Sequence, residues 1–328
     1  MPVIVPTKKC DLRCTHCMRT EYKGDALDVD LLQRFLTDVN KLTKQRQHSL
    51  TGGEPTVHPR FDALLGTFRV TGNTMYIVSN GQGIEGQKAV IRNKDVVDWV
   101  SISLDAPTAE MNDHTRGKGA FDKVMLAVER YHAAGVLVDF RFVLHDGNAG
   151  LVDKAFELGK ELGLKRLRFS TLHPVGKASE HEMSVTFEKL EAARLRIREL
   201  KKQHPGITAG LNTRHMLPYM ESDWPKDMCT PIGGGMNGIV LLPDGKVSFC
   251  CDLYDLDFIY ERYEGDNEQL NPIVGDYSIE SLDTIIKRKR ERITLLKQRR
   301  AEDVEKGRLT GNRQYICENC KYYHYFAG

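Results

Sequence analysis

Apolar residues in the first half of the chain fall into two alternating patterns. A short β-branched run, Val3 to Val5, is followed after a polar loop by Leu31, Leu32, Phe35, Leu36 and Val39 at helical spacing, which predicts strand, loop, helix. Further strand candidates lie at Ser49 to Thr51, Met75 to Ser79, Val97 to Leu104, Val136 to Leu144 and Leu167 to Leu172. Helical patterns separate most of them, near Arg60 to Phe68, Phe121 to Ala134 and Leu151 to Leu162. Strands alternating with helices predict parallel βα units, and six of them predict an α/β fold built as an open, partial (β/α)6 TIM-like barrel.

After Pro174 the pattern changes. A long helix is expected near Thr186 to Gln203, then Pro205-Gly206, then a stretch without βα repeats. Within that stretch Pro243-Asp244-Gly245, between Gly238–Leu242 and Lys246–Phe249, reads as a hairpin turn. The expected organisation is a barrel domain over 1–180, a bridging helix within 181–205 and a small α+β domain over 206–328.

Composition narrows the function. With 328 residues, 41% hydrophobic and 28% charged, the chain is neither disordered nor collagen-like. Forty-seven basic against forty-five acidic residues leave +2, which gives no electrostatic case for nucleic acid or membrane as the main partner. No run approaches the roughly 18 apolar residues of a membrane span, and Cys10 comes too early for a signal peptide, so a cytoplasmic protein is expected. Eight cysteines are too sparse for a disulfide scaffold; in a reducing compartment clustered thiols bind metal or do chemistry.

Cys10, Cys14 and Cys17 form a C-x3-C-x2-C cluster on the loop after the first strand, where three thiolates can converge on one inorganic centre. Structural zinc wants four protein ligands, whereas an iron–sulfur cube held by three keeps one iron free; a zinc knuckle with a distant fourth ligand is the alternative. The run Lys9 to Cys17, followed by Thr51-Gly52-Gly53-Glu54-Pro55 after the second strand, resembles the radical S-adenosylmethionine (SAM) superfamily. The resemblance implies a [4Fe-4S] cluster whose free iron chelates the amino and carboxylate groups of SAM. It also implies that Gly52 to Pro55 contact the SAM amino group, glycine by close backbone approach and Glu54 by pairing with the ammonium. Ser79-Asn80-Gly81 and the Ser101 to Asp105 strand, with Ser103 and Asp105, resemble positions that meet the ribose and methionine parts of SAM. Arg116 resembles one that meets its carboxylate, and Pro174-Val175-Gly176 the turn beside adenine. His16 is expected to pack beside the cluster.

Five cysteines remain. Cys229, fifteen residues, Gly245, four residues and Cys250, then Cys317-x2-Cys320, resemble the shortened, SPASM-like twitch domain. That implies an auxiliary [4Fe-4S] cluster on Cys229, Cys250, Cys317 and Cys320, with structural zinc as the alternative. Cys251 is then left over, as a small apolar residue or as a hydrogen-atom donor of the kind some twitch-containing peptide epimerases use. The basic segment Lys287 to Arg300, with an apolar stripe at Leu282, Ile285, Ile286, Ile293 and Leu296, is expected to be an amphipathic helix with a solvated charged face.

The resemblance implies reductive cleavage of SAM to a 5′-deoxyadenosyl radical that removes hydrogen from an unactivated carbon. The expected function is modification of a peptide precursor by crosslinking, oxidation or epimerisation. The alternatives are dehydrogenation of a small sugar or aminocyclitol, and a non-catalytic iron–sulfur or zinc protein. Implied partners are a peptide or small-molecule substrate and an external electron donor such as flavodoxin or ferredoxin. Only nine residues precede Cys10, so a separate leader-peptide-binding protein is a further expectation.

Overall fold

Seven strands run parallel in chain order in the computed structural model, which describes residues 1–20, 22–173, 176–212, 236, 238–250 and 272–306. They are β1 (Val3–Ile4), β2 (Gln47–Leu50), β3 (Thr74–Ser79), β4 (Val97–Ser103), β5 (Val138–Leu144), β6 (Arg166–Thr171) and β7 (Thr208–Asn212). Between them run α1 (Val29–Leu42), α2 (Phe61–Val70), α3 (Ile84–Arg92), α4 (Ala109–Arg116), α5 (Ala120–Ala133), α6 (Val152–Glu161), α7 (Lys177–Glu180) and α8 (Phe187–Gln203). The α/β half-barrel expected from the alternation is present.

Each crossover helix forms for a local reason. In α1, Asp28 caps the N-terminus by accepting from the Leu31 N–H at 2.8 Å, and Val29, Leu31, Leu32, Phe35, Leu36 and Val39 make the buried stripe. The facing strand residues, among them Leu50, Ile77, Val100, Ile102, Phe140, Phe142, Leu167 and Phe169, join these helices in one core. Alternation then puts Tyr76, Trp99, Ser101, Asp139, Arg141 and Arg168 on the opposite, inner face of the sheet. Parallel strands are usually apolar on both faces, so a polar inner face points to function.

The sheet does not stop where the expected barrel domain ends. α8, expected as a bridge within 181–205, delivers β7 to the open edge of β6. At the other edge β8 (Val240–Leu241) pairs parallel with β1, and β9 (Lys246–Ser248) and β10 (Ile273–Asp276) extend it antiparallel, giving one ten-stranded sheet. The Pro243-Asp244-Gly245 turn joins β8 to β9 as the sequence predicts, with Gly245 at φ +86°. Hydrogen bonds across β1 and β8 therefore make residues 238–250 continuous with the barrel sheet.

The basic segment lies in α9 (Leu282–Glu305), but its charged face is not simply solvated. Leu282, Ile285, Ile286 and Ile293 are buried, and so is Lys289. Arg288 donates to the Val274 carbonyl at 2.6 Å and pairs with Glu280, while Arg292 donates to the Ile273 carbonyl at 2.6 Å. These cations tie the helix to β10, whose edge carbonyls need donors. Among the described residues no helix is long and apolar enough to cross a membrane.

His48 on β2 is buried against Phe68, with Nε2 3.1 Å from Asn73 Oδ1. Burial pulls its pKa from 6.5 to about 4. The folded chain keeps the imidazole neutral while the unfolded chain protonates it, so stability is full above about pH 6.5 and is lost as pH falls towards about 4. The expected loss between pH 7 and pH 5 is on the order of 2 kcal/mol. Urea denaturation at the two pH values should show His48→Gln to be less acid-sensitive than wild type by about that amount.

Candidate active site

The loop after β1 carries Cys10, Cys14 and Cys17 across the C-terminal ends of the strands, and backbone hydrogen bonds fasten it on three sides. The Gly53 N–H donates to the Thr7 carbonyl at 3.0 Å and the Glu54 N–H to the Lys9 carbonyl at 2.7 Å. The Thr15 N–H donates to the Thr115 carbonyl at 3.0 Å, and the Lys177 N–H to the Cys17 carbonyl at 2.8 Å. Glycine is required at the first seam: a Cβ on Gly53 would lie 2.0 Å from the Lys9 carbonyl oxygen, and Gly52 has φ +142°.

Glu54 is 1% exposed, and both oxygens of its carboxylate accept hydrogen bonds from the protein. Oε1 accepts from Thr56 N–H at 3.1 Å, Thr56 Oγ1 at 2.7 Å and Ser79 Oγ at 2.9 Å, and Oε2 from Asn80 N–H at 2.6 Å. Burial raises its carboxyl pKa above the ordinary range, with these four donors opposing the shift. These bonds give the carboxylate a structural role, joining the β2 turn to the end of β3. Pro55 opens the short 3-10 turn at 55–57 and is buried. The Asn80 amide reaches back over the cysteine loop, donating to Asp11 Oδ1 at 2.6 Å with Cys10 Sγ 3.8 Å away.

Asp105 and Arg116 also find each other. Arg116 Nη2 donates to Asp105 Oδ1 at 3.1 Å, and its Nε lies 2.8 Å from Oδ2, off the N–H axis, as an ion pair. His16 Nδ1 lies 3.2 Å from the same Oδ2. Burial disfavours the Asp105 carboxylate, but the Arg116 charge and hydrogen bond, with His16 and His145, together outweigh it and hold the pKa below the ordinary value. Burial pulls His16 to about 4, so its imidazole is neutral. Arg116 Nη1 in turn lies 4.0 Å from Cys14 Sγ. His16, within the cysteine loop, is largely buried, with Asp105 as a partner the sequence did not suggest. Ser103 ends β4 on the inner face, partly exposed.

The donor set fits an iron–sulfur cluster. All three thiols are free, and burial pushes those of Cys10 and Cys14 up to about 12 and about 11, a shift that a metal centre reverses by displacing the proton. Among the described residues no three His, Cys, Asp or Glu side chains converge as ligands of a single ion would. Three thiolates suit a cube in which each takes a different iron, whereas structural zinc takes four protein ligands. Cys250 is partly buried at the end of β9, its N–H donating to Ser248 Oγ at 3.1 Å. Pro174, Val175, Cys229, Cys251, Cys317 and Cys320 lie outside the described residues.

Residues 4–159 match the Radical SAM superfamily. The family implies one [4Fe-4S] cluster and SAM. Among relatives, the mycofactocin maturase MftC of Mycobacterium tuberculosis is 32% identical over 177 residues, 53% of this chain and 45% of that protein. The PqqA peptide cyclase of Ruegeria pomeroyi is 26% identical over 250 residues, 74% of this chain and 65% of its own. The chain thus spans about half to two thirds of the length of these relatives. Its fold resembles anSMEcpe with bound AdoMet and Cp18Cys peptide, at TM-score 0.66 and 20% identity, covering 89% of this chain and 82% of that one.

Proposed function

We propose that this chain is a radical SAM maturase that modifies a peptide precursor at an unactivated carbon, by crosslinking, oxidation or epimerisation. The observation that carries this is the cysteine loop, fastened by Gly53 and Glu54 over the strand ends, directly above a polar inner sheet face. The names of the relatives, a maturase and a peptide cyclase, support the substrate class. When bound, the cluster and SAM supply the 5′-deoxyadenosyl radical that abstracts hydrogen.

Cys10, Cys14 and Cys17 hold that cluster. Since the Glu54 carboxylate is occupied, the Gly52–Pro55 turn meets the SAM ammonium through backbone carbonyls, and Glu54, Ser79 and Asn80 set the position of the turn. Ser103 faces SAM from the inner face. Asp105 and Arg116 act as one buried pair, with Arg116 beside Cys14 and available to the SAM carboxylate. Cys229, Cys250, Cys317 and Cys320 hold an auxiliary [4Fe-4S] cluster in a twitch-like C-terminal domain, which takes the second electron of an oxidation. An external carrier such as flavodoxin or ferredoxin supplies the reducing electron, and a separate leader-binding protein can present the peptide.

The test uses the reconstituted enzyme with the peptide encoded beside its gene, in deuterated water. The expected product has lost about two hydrogens and carries no solvent deuterium at the abstracted position, and Cys251→Ala behaves as wild type. A stoichiometric gain of one deuterium that disappears in Cys251→Ala makes Cys251 the hydrogen donor of an epimerase. SAM cleavage that leaves every such peptide unaltered sinks the peptide reading.

A further inference from the structure

The inner face of the sheet carries charges below the site, where among the described residues Arg141, Arg166 and Arg168 gather about the one carboxylate of Asp139. Along β5, Phe140 and Phe142 enter the core under the helices, so Asp139 and Arg141 share the other face. Asp139 is 2% exposed and has its partners: it accepts from Ser101 Oγ and from Arg168 Nε, the latter at 3.0 Å. Arg168 also lies over the stacked Tyr76 and Trp99 rings, 5.5 Å from the Trp99 centroid.

Arg141 has no such arrangement. Its Nε is buried and donates no hydrogen bond to a described residue. Among the described residues the titratable groups acting on it are Tyr76, Asp139 and Arg168, and the one carboxylate among them is already shared by Arg168 at 3.0 Å and Arg166 at 3.6 Å. A buried N–H without an acceptor is destabilising, so an acceptor from outside the protein is the natural complement. Position agrees with this. Arg141 pairs in register with Ser103 of β4 on one side and Arg168 of β6 on the other. Two residues further along β5, the Val143 N–H lies 3.4 Å from Asp105 Oδ1. Arg141 therefore sits one pleat below the Asp105–Arg116–His16 group that borders the cysteine loop, at the depth where a substrate beside SAM would extend.

We propose that Arg141, with Arg168 beside it, binds a carboxylate of the substrate. The inference rests on the peptide reading, because a peptide offers a carboxylate either on an acidic side chain or at its C-terminus. The Arg141 guanidinium calls for a negative charge, and its planar fork matches the two oxygens of a carboxylate.

The holoprotein with SAM bound is titrated, by tryptophan fluorescence, with acetyl-Ala-Ala-Glu-Ala-Ala-amide, its Gln counterpart, acetyl-pentaalanine as free acid and as amide, and glutarate. At least one charged peptide is expected to bind about tenfold tighter than its neutral counterpart. The preference should vanish in Arg141→Gln and persist in part in Arg141→Lys, and the pair that shows it identifies side chain or C-terminus as the source. Arg141→Met should be at least as stable as wild type, because it removes a guanidinium whose Nε is buried without an acceptor among the described residues. Peptides that bind without charge preference overturn the carboxylate site and leave the peptide reading standing. Glutarate binding that depends on Arg141, with no peptide binding, overturns the peptide reading and leaves the site. No binding by any carboxylate, a preference that survives Arg141→Gln, or a large loss of stability in Arg141→Met overturns the proposal.

Discussion

Replacing Cys10, Cys14 and Cys17 together by alanine is expected to abolish SAM cleavage and to reduce bound iron from about eight atoms per chain to about four. The three thiols are the only protein ligands expected for the first cluster, so no partial centre should survive their loss. The polypeptide should nevertheless stay folded. The loop is held by backbone bonds from Thr15 to Thr115, from Lys177 to Cys17 and from Gly53 to Thr7, none of which involves a sulfur. Circular dichroism of wild type and variant should therefore superimpose while iron analysis and anaerobic SAM cleavage separate them. Iron that falls to zero would remove the auxiliary cluster on Cys229, Cys250, Cys317 and Cys320. Unchanged iron, or tightly bound zinc in its place, would remove the assignment of the first three cysteines.

Strands and the longer amphipathic helices were legible because burial on one face imposes a period, and Val97 to Leu104 or Phe121 to Ala134 show it over two or more turns of pattern. α3 and α4 were not, because little on their inner sides is apolar. The buried residues of α3 are Gly86, Gln87, Ala89 and Val90, and those of α4 are Asn112, Thr115 and Arg116. These sites are filled by small or polar groups with local tasks: Gln87 donates to the Gly81 carbonyl at 2.9 Å, and Asn112 accepts from the Asp105 N–H at 3.0 Å. Motif spacing identified the cysteine loop and the glycine turn as one site but could not assign the role of each side chain. Glu54 and its donors at Ser79 and Asn80 are 25 and 26 residues apart in sequence, and only the parallel register of β2 and β3 brings them together. The charged inner face had a visible signal in Val138-Asp139-Phe140-Arg141-Phe142, where charges alternate with core residues, but the strand was read for its apolar half alone.

Glu54 is where the two possible roles of a motif residue give opposite results. If its carboxylate met the SAM ammonium, Glu54→Gln would weaken SAM binding and leave fold stability unchanged. The structure instead gives Glu54 four donors in a buried site, from Thr56, Ser79 and Asn80. Glu54→Ala leaves all of them without an acceptor, and at about 1–3 kcal/mol for each unsatisfied buried group the two buried bonds, from Ser79 Oγ and the Asn80 N–H, alone give an expected loss of stability of at least about 2 kcal/mol. Glu54→Gln should lie between: its carbonyl can replace Oε1 for Thr56 and Ser79, but its amide N–H groups would face the Asn80 N–H, donor against donor. Stability and SAM affinity are thus expected to fall together, wild type above Gln above Ala, because the turn that holds the ligand is the same turn the carboxylate holds in place. Thermal denaturation and calorimetric titration with SAM on the three proteins would check the ordering. A Gln variant as stable as wild type with SAM affinity lost would return Glu54 to direct contact with the ligand.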